Sequence, residues 1–183
     1  QQGGREAGQR NRAAAQYHFT DKAGLVQAIL DKHTPGIEAA RHALIDELEA
    51  QAGAPALRAW VEALVRPLAA KLDDDDGGRA FLRVQAELMR QPEATLEQRA
   101  KQNRGAERLM RGMTRATTSA VPVPRALLAS RMLLVTGLLF HGLSDYLARD
   151  AAGDAPPRAV FVEALVDAIE ALLGAPPSAA AVA

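Results

Sequence analysis

The segment from Arg125 to Arg149 constrains this chain more than any other. Met132, Leu133, Leu134, Val135, Leu138, Leu139 and Phe140 make it apolar on nearly every side of a helix, and Gly137 and Gly142 permit close backbone approach. Such a helix has to be covered on several sides at once. Its uncharged run, between Arg131 and Asp145, falls short of the roughly 20 apolar residues a bilayer span needs. Burial among other helices is therefore the expectation. A second apolar stripe follows at helical spacing over Arg158–Leu173: Val160, Phe161, Leu165, Val166, Ile169 and Leu172.

Composition agrees with an all-α fold. Hydrophobic residues make up 48% of the chain but aromatics only 4%, whereas strands draw on β-branched and aromatic side chains. The length, 183 residues, suits one compact domain with a small appendage. The absence of cysteine excludes disulfide frameworks and cysteine zinc sites and makes a reducing cytoplasm the expected compartment. No basic start followed by an apolar run marks a secretory signal. The 22 basic and 22 acidic residues cancel, so any case for nucleic acid rests on local charge.

The other elements follow from periodicity and breakers. Gln9–Phe19 reads as a short alanine-rich helix. Thr20 or Asp21 caps a longer one, with Leu25, Ile29, Ile37, Ala40, Leu44 and Leu48 near helical spacing. Thr34-Pro35-Gly36 predicts a kink or break in it. Pro55 is placed in the first turn of the next helix, whose stripe is Leu57, Trp60, Val61, Leu64, Val65 and Leu68. The run Asp73–Asp76 followed by two glycines reads as a solvated turn, because the alternating aspartate spacing of a cation loop is missing. Helices are expected over Arg79–Arg90 and from Glu93 to about Ala120, the second with Leu109, Met110 and Met113 on one side. Val121-Pro122-Val123-Pro124 and Asp150–Pro157 are loops, and the chain from Gly174 onward reads as a frayed tail. No metal or cofactor is expected.

The chemistry concentrates in NRAAAQYHFTDKAGL, Asn11 to Leu25. A helix faced with Ala13, Ala14 and Ala15 can enter a major groove closely, since short side chains do not hold its backbone away. Arg10, Asn11, Arg12 and Gln16 supply donors and acceptors suited to base edges and phosphates. Tyr17 and His18 end that helix with groups able to hydrogen-bond a phosphate, and the helix start at Thr20-Asp21 with Lys22 can hold another. His18 has no serine or aspartate placed to make a catalytic set, and neither a nucleophile elbow nor a glycine-rich phosphate loop is present. A read-out helix followed by a phosphate-clamping helix start is the geometry of a helix-turn-helix reader.

Glu6-Ala7-Gly8-Gln9-Arg10-Asn11, Tyr17-His18-Phe19, Asp21-Lys22 and Leu25 together closely resemble the TetR-type (tetracycline-repressor-type) transcriptional regulators. The motif covers Arg5 to about Leu30; the remainder is similar to the family in architecture. The resemblance implies that Ala7-Gly8 is the turn of the reader and that Arg10 to Gln16, Ala13 included, lie in or beside the major groove. It implies that Tyr17, His18 and Lys22 touch phosphates, and that Phe19 and Leu25 pack a small DNA-binding core. Only Gln1–Glu6 precede the Ala-Gly turn, where the family has a first helix and most of a second. Gln1–Gly4 looks like the end of that first helix and its turn, and Arg5-Glu6 like the end of the second. The expectation is that segments are joined here across absent residues, and a mass of the intact material matching 19.5 kDa would remove it.

The implied organisation is a partial reader with the start of a linking helix over 1–33, an effector-binding and dimerisation domain over 34–174, and a tail over 175–183. The helices 125–149 and 158–173 expose enough apolar surface to pair two protomers as a four-helix bundle. A twofold dimer would set two recognition helices roughly 34–36 Å apart, which suits double-stranded palindromic DNA. Trp60, Leu64, Phe81, Val84, Met89, Met110, Met113, Phe140 and His141 are the candidate pocket residues, each also readable as plain core. Few charges lie near them, so a small apolar or amphipathic effector is expected. The competing readings are an all-helical enzyme, for which only His141, Asp145 and Tyr146 cluster on one helix, and a dimerisation module with no DNA role.

Overall fold

The structure, a computed structural model, describes residues 3–90 and 104–181, with side chains described over 22–90 and 106–181. Among the described residues there are six α-helices and no strand: α1 (Gly3–Ala50), α2 (Leu57–Ala69), α3 (Gly78–Met89), α4 (Arg104–Ala120), α5 (Arg125–Ala152) and α6 (Arg158–Gly174). Short 3-10 turns lie at Ala70–Asp73 and Ala179–Ala181. The expected helix around Glu93 lies outside the described residues until Arg104.

The first helix departs from expectation. It runs 48 residues without interruption, through Ala7-Gly8, through Thr20-Asp21 and through Thr34-Pro35-Gly36. Proline costs a helix interior about 3 kcal/mol by removing one donor and crowding the preceding turn. Pro35 stands on the exposed side, where water can serve the freed carbonyl, while Ile37, Ile45 and Leu48 bury the opposite face. Each such burial is worth about 1.5–3 kcal/mol, so packing outweighs the proline. Upstream, a glycine costs a helix only about 1 kcal/mol and the alanines favour it, so nothing local compels a turn. Leu25 is 62% exposed instead of packed in a small core.

α2 is the central element and packs against α1, α4 and α6, while α5 packs against α3 and α6. Pro55 precedes the N-cap residue Ala56 rather than sitting in the first turn of α2. By length and composition α5 is long and apolar enough to cross a bilayer, so length does not separate the two settings. In this fold it serves the bundle. Leu128, Val135, Leu139, Leu143 and Leu147 are buried, and the buried Arg131 donates to the Leu173 carbonyl at 2.9 Å, satisfying an acceptor at the end of α6. Tyr146 stacks on Phe161 at 4.5 Å and donates to the Pro156 carbonyl, which fixes the turn from α5 into α6. Across α2 and α6, Arg58 meets Glu163, Asp167 and Glu170, and Arg66 meets Glu62 and Glu163. These hydrogen bonds hold both guanidinium pKa values above the ordinary one.

Where α4 passes α2, its packing leaves no room beyond a glycine. A Cβ on Gly112 would stand 2.4 Å from the ring of Trp60, which is itself buried. Gly112→Ala therefore has to push the indole off its seat. The expected loss is about 1–3 kcal/mol in a denaturant titration, and an unchanged midpoint would show that α4 can move away freely.

Candidate ligand cavity

The site grows out of the buried face of α1. His33, Ile37, Arg41, Ile45 and Leu48 are all at most 9% exposed. At about 100° per residue they fall within roughly a third of the helix circumference. Two of these five are polar, and they stand where the stripe would otherwise be aliphatic.

Below this face a cavity of about 260 Å³ opens, lined by five helices. α1 contributes Leu30, Thr34, Ile37, Glu38 and Arg41; α2 contributes Leu64 and Leu68; α3 contributes Phe81 and Gln85. Ala106, Leu109, Met110 and Met113 come from α4, and Met132, Val135, Thr136, Leu139 and Phe140 from α5. The walls are mostly apolar, with a few convergent polar groups, which is the usual constitution of a small-molecule site. Met110, among its lining, is 38% exposed, and the cavity is partly open to solvent. Arg41 and Glu38 form an ion pair along one turn of α1. Burial presses the Arg41 guanidinium below its ordinary pKa, and Glu38 opposes that. Glu38 Oε2 and Arg41 Nε are both buried and have no hydrogen-bond partner in the protein. The Thr136 hydroxyl is already committed to the Met132 carbonyl at 2.9 Å.

Of the sequence-derived pocket residues, the cavity brings together Leu64, Phe81, Met110, Met113 and Phe140. Val84, Met89 and His141 do not line it. Trp60 lines a second cavity of about 740 Å³ between the end of α1 and α4. Two of its arginines are ion-paired: Arg108 holds Asp46 at 2.8 Å and Glu49 at 2.7 Å, and Arg111 holds Glu107 at 3.0 Å. Sequence reasoning missed the α1 wall. Its signal was present, a charge pair at Glu38 and Arg41 whose arginine occupies the apolar register set by Ile37 and Ile45. Of the DNA-contact candidates, Arg10, Asn11, Arg12, Ala13, Gln16, Tyr17 and His18 lie in the part of α1 whose side chains are outside the described residues. Lys22 is exposed.

The cavity abuts a polar junction. Phe81 touches His33, with ring centroids 5.6 Å apart, and His33 Nδ1 lies 3.6 Å from Asp74 Oδ2. Gly77, at φ +99°, leads into α3, and a Cβ there would come within 3.0 Å of His33 Nε2. The aspartate run is the solvated turn expected, with Asp73, Asp75 and Asp76 exposed, and its carboxylates also form ion pairs. Asp73 meets Arg158, Asp74 meets Lys71 at 2.7 Å, Asp75 meets Arg79 at 3.9 Å and Asp76 meets Lys32 at 2.6 Å. These ion pairs, mostly between exposed groups, link α1, α3, α6 and the intervening 3-10 turn.

Compared with protein-family models, curated proteins and solved structures, the chain matches none.

Burial, and then the Lys71 charge, hold the His33 imidazole below its ordinary pKa of 6.5, with Lys32 acting the same way and Asp74 and Asp76 opposing. The unfolded chain therefore takes the proton first as pH falls. Stability from this site is complete above the ordinary value and is lost on descending through it. Unfolding free energy is expected to drop between about pH 7 and pH 5, with a shallower slope in His33→Gln. Parallel slopes in the two proteins would show that His33 does not carry this part of the pH dependence. Asp74, held below the ordinary carboxylate value chiefly by Lys71, acts in a separate and more acidic window, giving stability that is lost as pH falls further.

Proposed function

We propose that this chain is a TetR-type transcriptional regulator, a ligand-responsive repressor that acts as a homodimer on a palindromic operator. The observation that carries the reading is α1. One helix bears the Asn11–Leu25 motif in its N-terminal part and supplies Leu30, Thr34, Ile37, Glu38 and Arg41 to the cavity wall further along. A ligand that shifts this wall shifts the element that leads to the reader. Arg10, Asn11, Arg12, Ala13 and Gln16 would meet the groove, and Tyr17, His18 and Lys22 the phosphates. Effector binding acts by population shift: the conformer it prefers sets the recognition helices at a spacing the operator does not match, with a coupling typically of about 1–3 kcal/mol. No catalytic step enters this reading.

Dimerisation has its own support. Leu133, Leu134 and Leu138 on α5 and Val160 on α6 are exposed, and Ala164, Ala168 and Ala171 continue the α6 face with side chains small enough for close helix approach. Two copies pairing these faces make a four-helix bundle.

The unbroken course of α1 through Ala7-Gly8 favours one other reading, a dimerisation module with no DNA role. Gel-shift titration with the DNA upstream of the chain's own coding region separates the two. The regulator binds with an affinity that falls steeply with salt and is weakened by effector; no binding even at low salt leaves the module. In sedimentation experiments Leu134→Glu combined with Leu138→Glu is expected to convert a dimer to a folded monomer and to abolish operator binding. A dimer that survives both charges would remove the α5 interface.

A further inference from the structure

We propose that the cavity beneath α1 selects neutral molecules that present a hydrogen-bond donor and an acceptor together on an otherwise apolar frame, a primary carboxamide being the simplest, and that Glu38 and Arg41 read that polar head. This inference rests on the ligand-sensing reading above and adds the chemical class of the ligand.

Three observations carry it. First, the polar end of the cavity is an ion pair, so its net charge is already balanced. A ligand that brought an uncompensated charge would place a third charge in a mostly apolar enclosure, which is costly. A carboxylate would suit Arg41 but face the Glu38 carboxylate, and an ammonium group would suit Glu38 but face the guanidinium. Second, each member of the pair has one buried atom with no protein partner, and the two atoms are of opposite kind: Arg41 Nε–H donates and Glu38 Oε2 accepts. Arg41 is 95% buried, by its 5% exposure. A head group with a carbonyl oxygen and an N–H can satisfy both atoms, whereas a hydrocarbon satisfies neither. In the free protein both atoms are buried and without a partner, so a head group that reaches them gains hydrogen bonds that nothing in the free protein makes. Third, the opposite walls are Leu64, Phe81, Met113, Leu139 and Phe140, with no ionisable group among them. The remainder of the ligand is therefore apolar, and the volume, about 260 Å³, keeps it small.

The test uses four probes of nearly one shape, benzamide, benzoate, benzylammonium and toluene, titrated calorimetrically into the full chain. Benzamide is expected to bind about tenfold more tightly than each of the other three, as one or two net hydrogen bonds to charged groups allow. In Glu38→Leu combined with Arg41→Met the preference for benzamide is expected to vanish while toluene binding persists. Removing both partners avoids leaving one buried charge alone, so this variant is expected to melt no lower than the parent. If it does not fold, the ranking in the parent protein decides by itself. Toluene binding as tightly as benzamide would overturn the polar read-out and leave the cavity standing as a ligand site. Benzoate or benzylammonium binding best would overturn the neutrality argument. If none of the four binds, both the inference and the sensing role of the cavity fall, while operator binding in the gel shift stands or falls separately.

Discussion

The fold is organised by a compromise on one face of α1. Burying that face against the helices below it is what holds a proline-containing helix straight enough to continue from Gly3 to Ala50. Yet the face carries Arg41 and His33 among its aliphatic residues. A guanidinium can be buried only beside a counter-charge, so Glu38 has to follow it inward. A planar, forked pair does not interdigitate with methyl groups as leucine does. The cavity lies where this polar pair meets the apolar walls from α2 to α5. Glu38 and Arg41 give the cavity its only ionisable lining among the described residues.

The sequence made much of this legible wherever one physical signal dominated. The stripes of α2, α3, α5 and α6 stand out because apolar spacing, flanking prolines and glycines, and length all agree there. Two kinds of feature were not legible. The first is the outcome of a contest: Thr34-Pro35-Gly36 is a valid local break, but burial of Ile37 and Ile45 is a tertiary quantity with no local signature. The second is a polar residue on an apolar stripe. The aliphatic and aromatic cavity residues follow from a search for apolar stripes, whereas Glu38 and Arg41 look like an ordinary surface pair unless Arg41 is placed in register with Ile37 and Ile45. Trp60 shows the converse error. It is large and apolar, yet it is buried against Gly112 beside a different cavity.

α5 has two faces with different tasks. Met132, Val135, Thr136, Leu139 and Phe140 look into the cavity, while Leu133, Leu134 and Leu138 are exposed on the other side. α6 contributes nothing to the cavity wall; it is joined to α2 by the Arg58 and Arg66 ion pairs and to α5 by the Tyr146–Phe161 stack. On the proposed reading, α5 is the element through which cavity occupancy and subunit pairing influence each other, and α6 is the fixed frame against which α5 is held. Coupling of this kind needs only that the ligand prefer one of two packings of α5, since packed interfaces switch between discrete arrangements more readily than they deform.

The position of the acidic tie then decides which part of α1 can respond. Lys32 and His33 meet Asp76 and Asp74 at the turn before α3, and that turn is in contact with α6 through Arg158. From Ile29 to Leu48, α1 is packed on its inner side; before that stretch, among residues whose side chains are described, Lys22 to Leu25 are exposed. On the proposed reading, the helix pivots where this packing begins. Arg41 lies eight residues beyond His33, about 12 Å along the helix, and Phe81 touches both the cavity and the His33 ring. A ligand drawn to Arg41 and Glu38 therefore acts on the packed part close to the pivot, where a small displacement becomes a larger one at the far end. On the proposed reading this places the hinge of the sensor at the aspartate junction, rather than at a break in the helix beside Pro35.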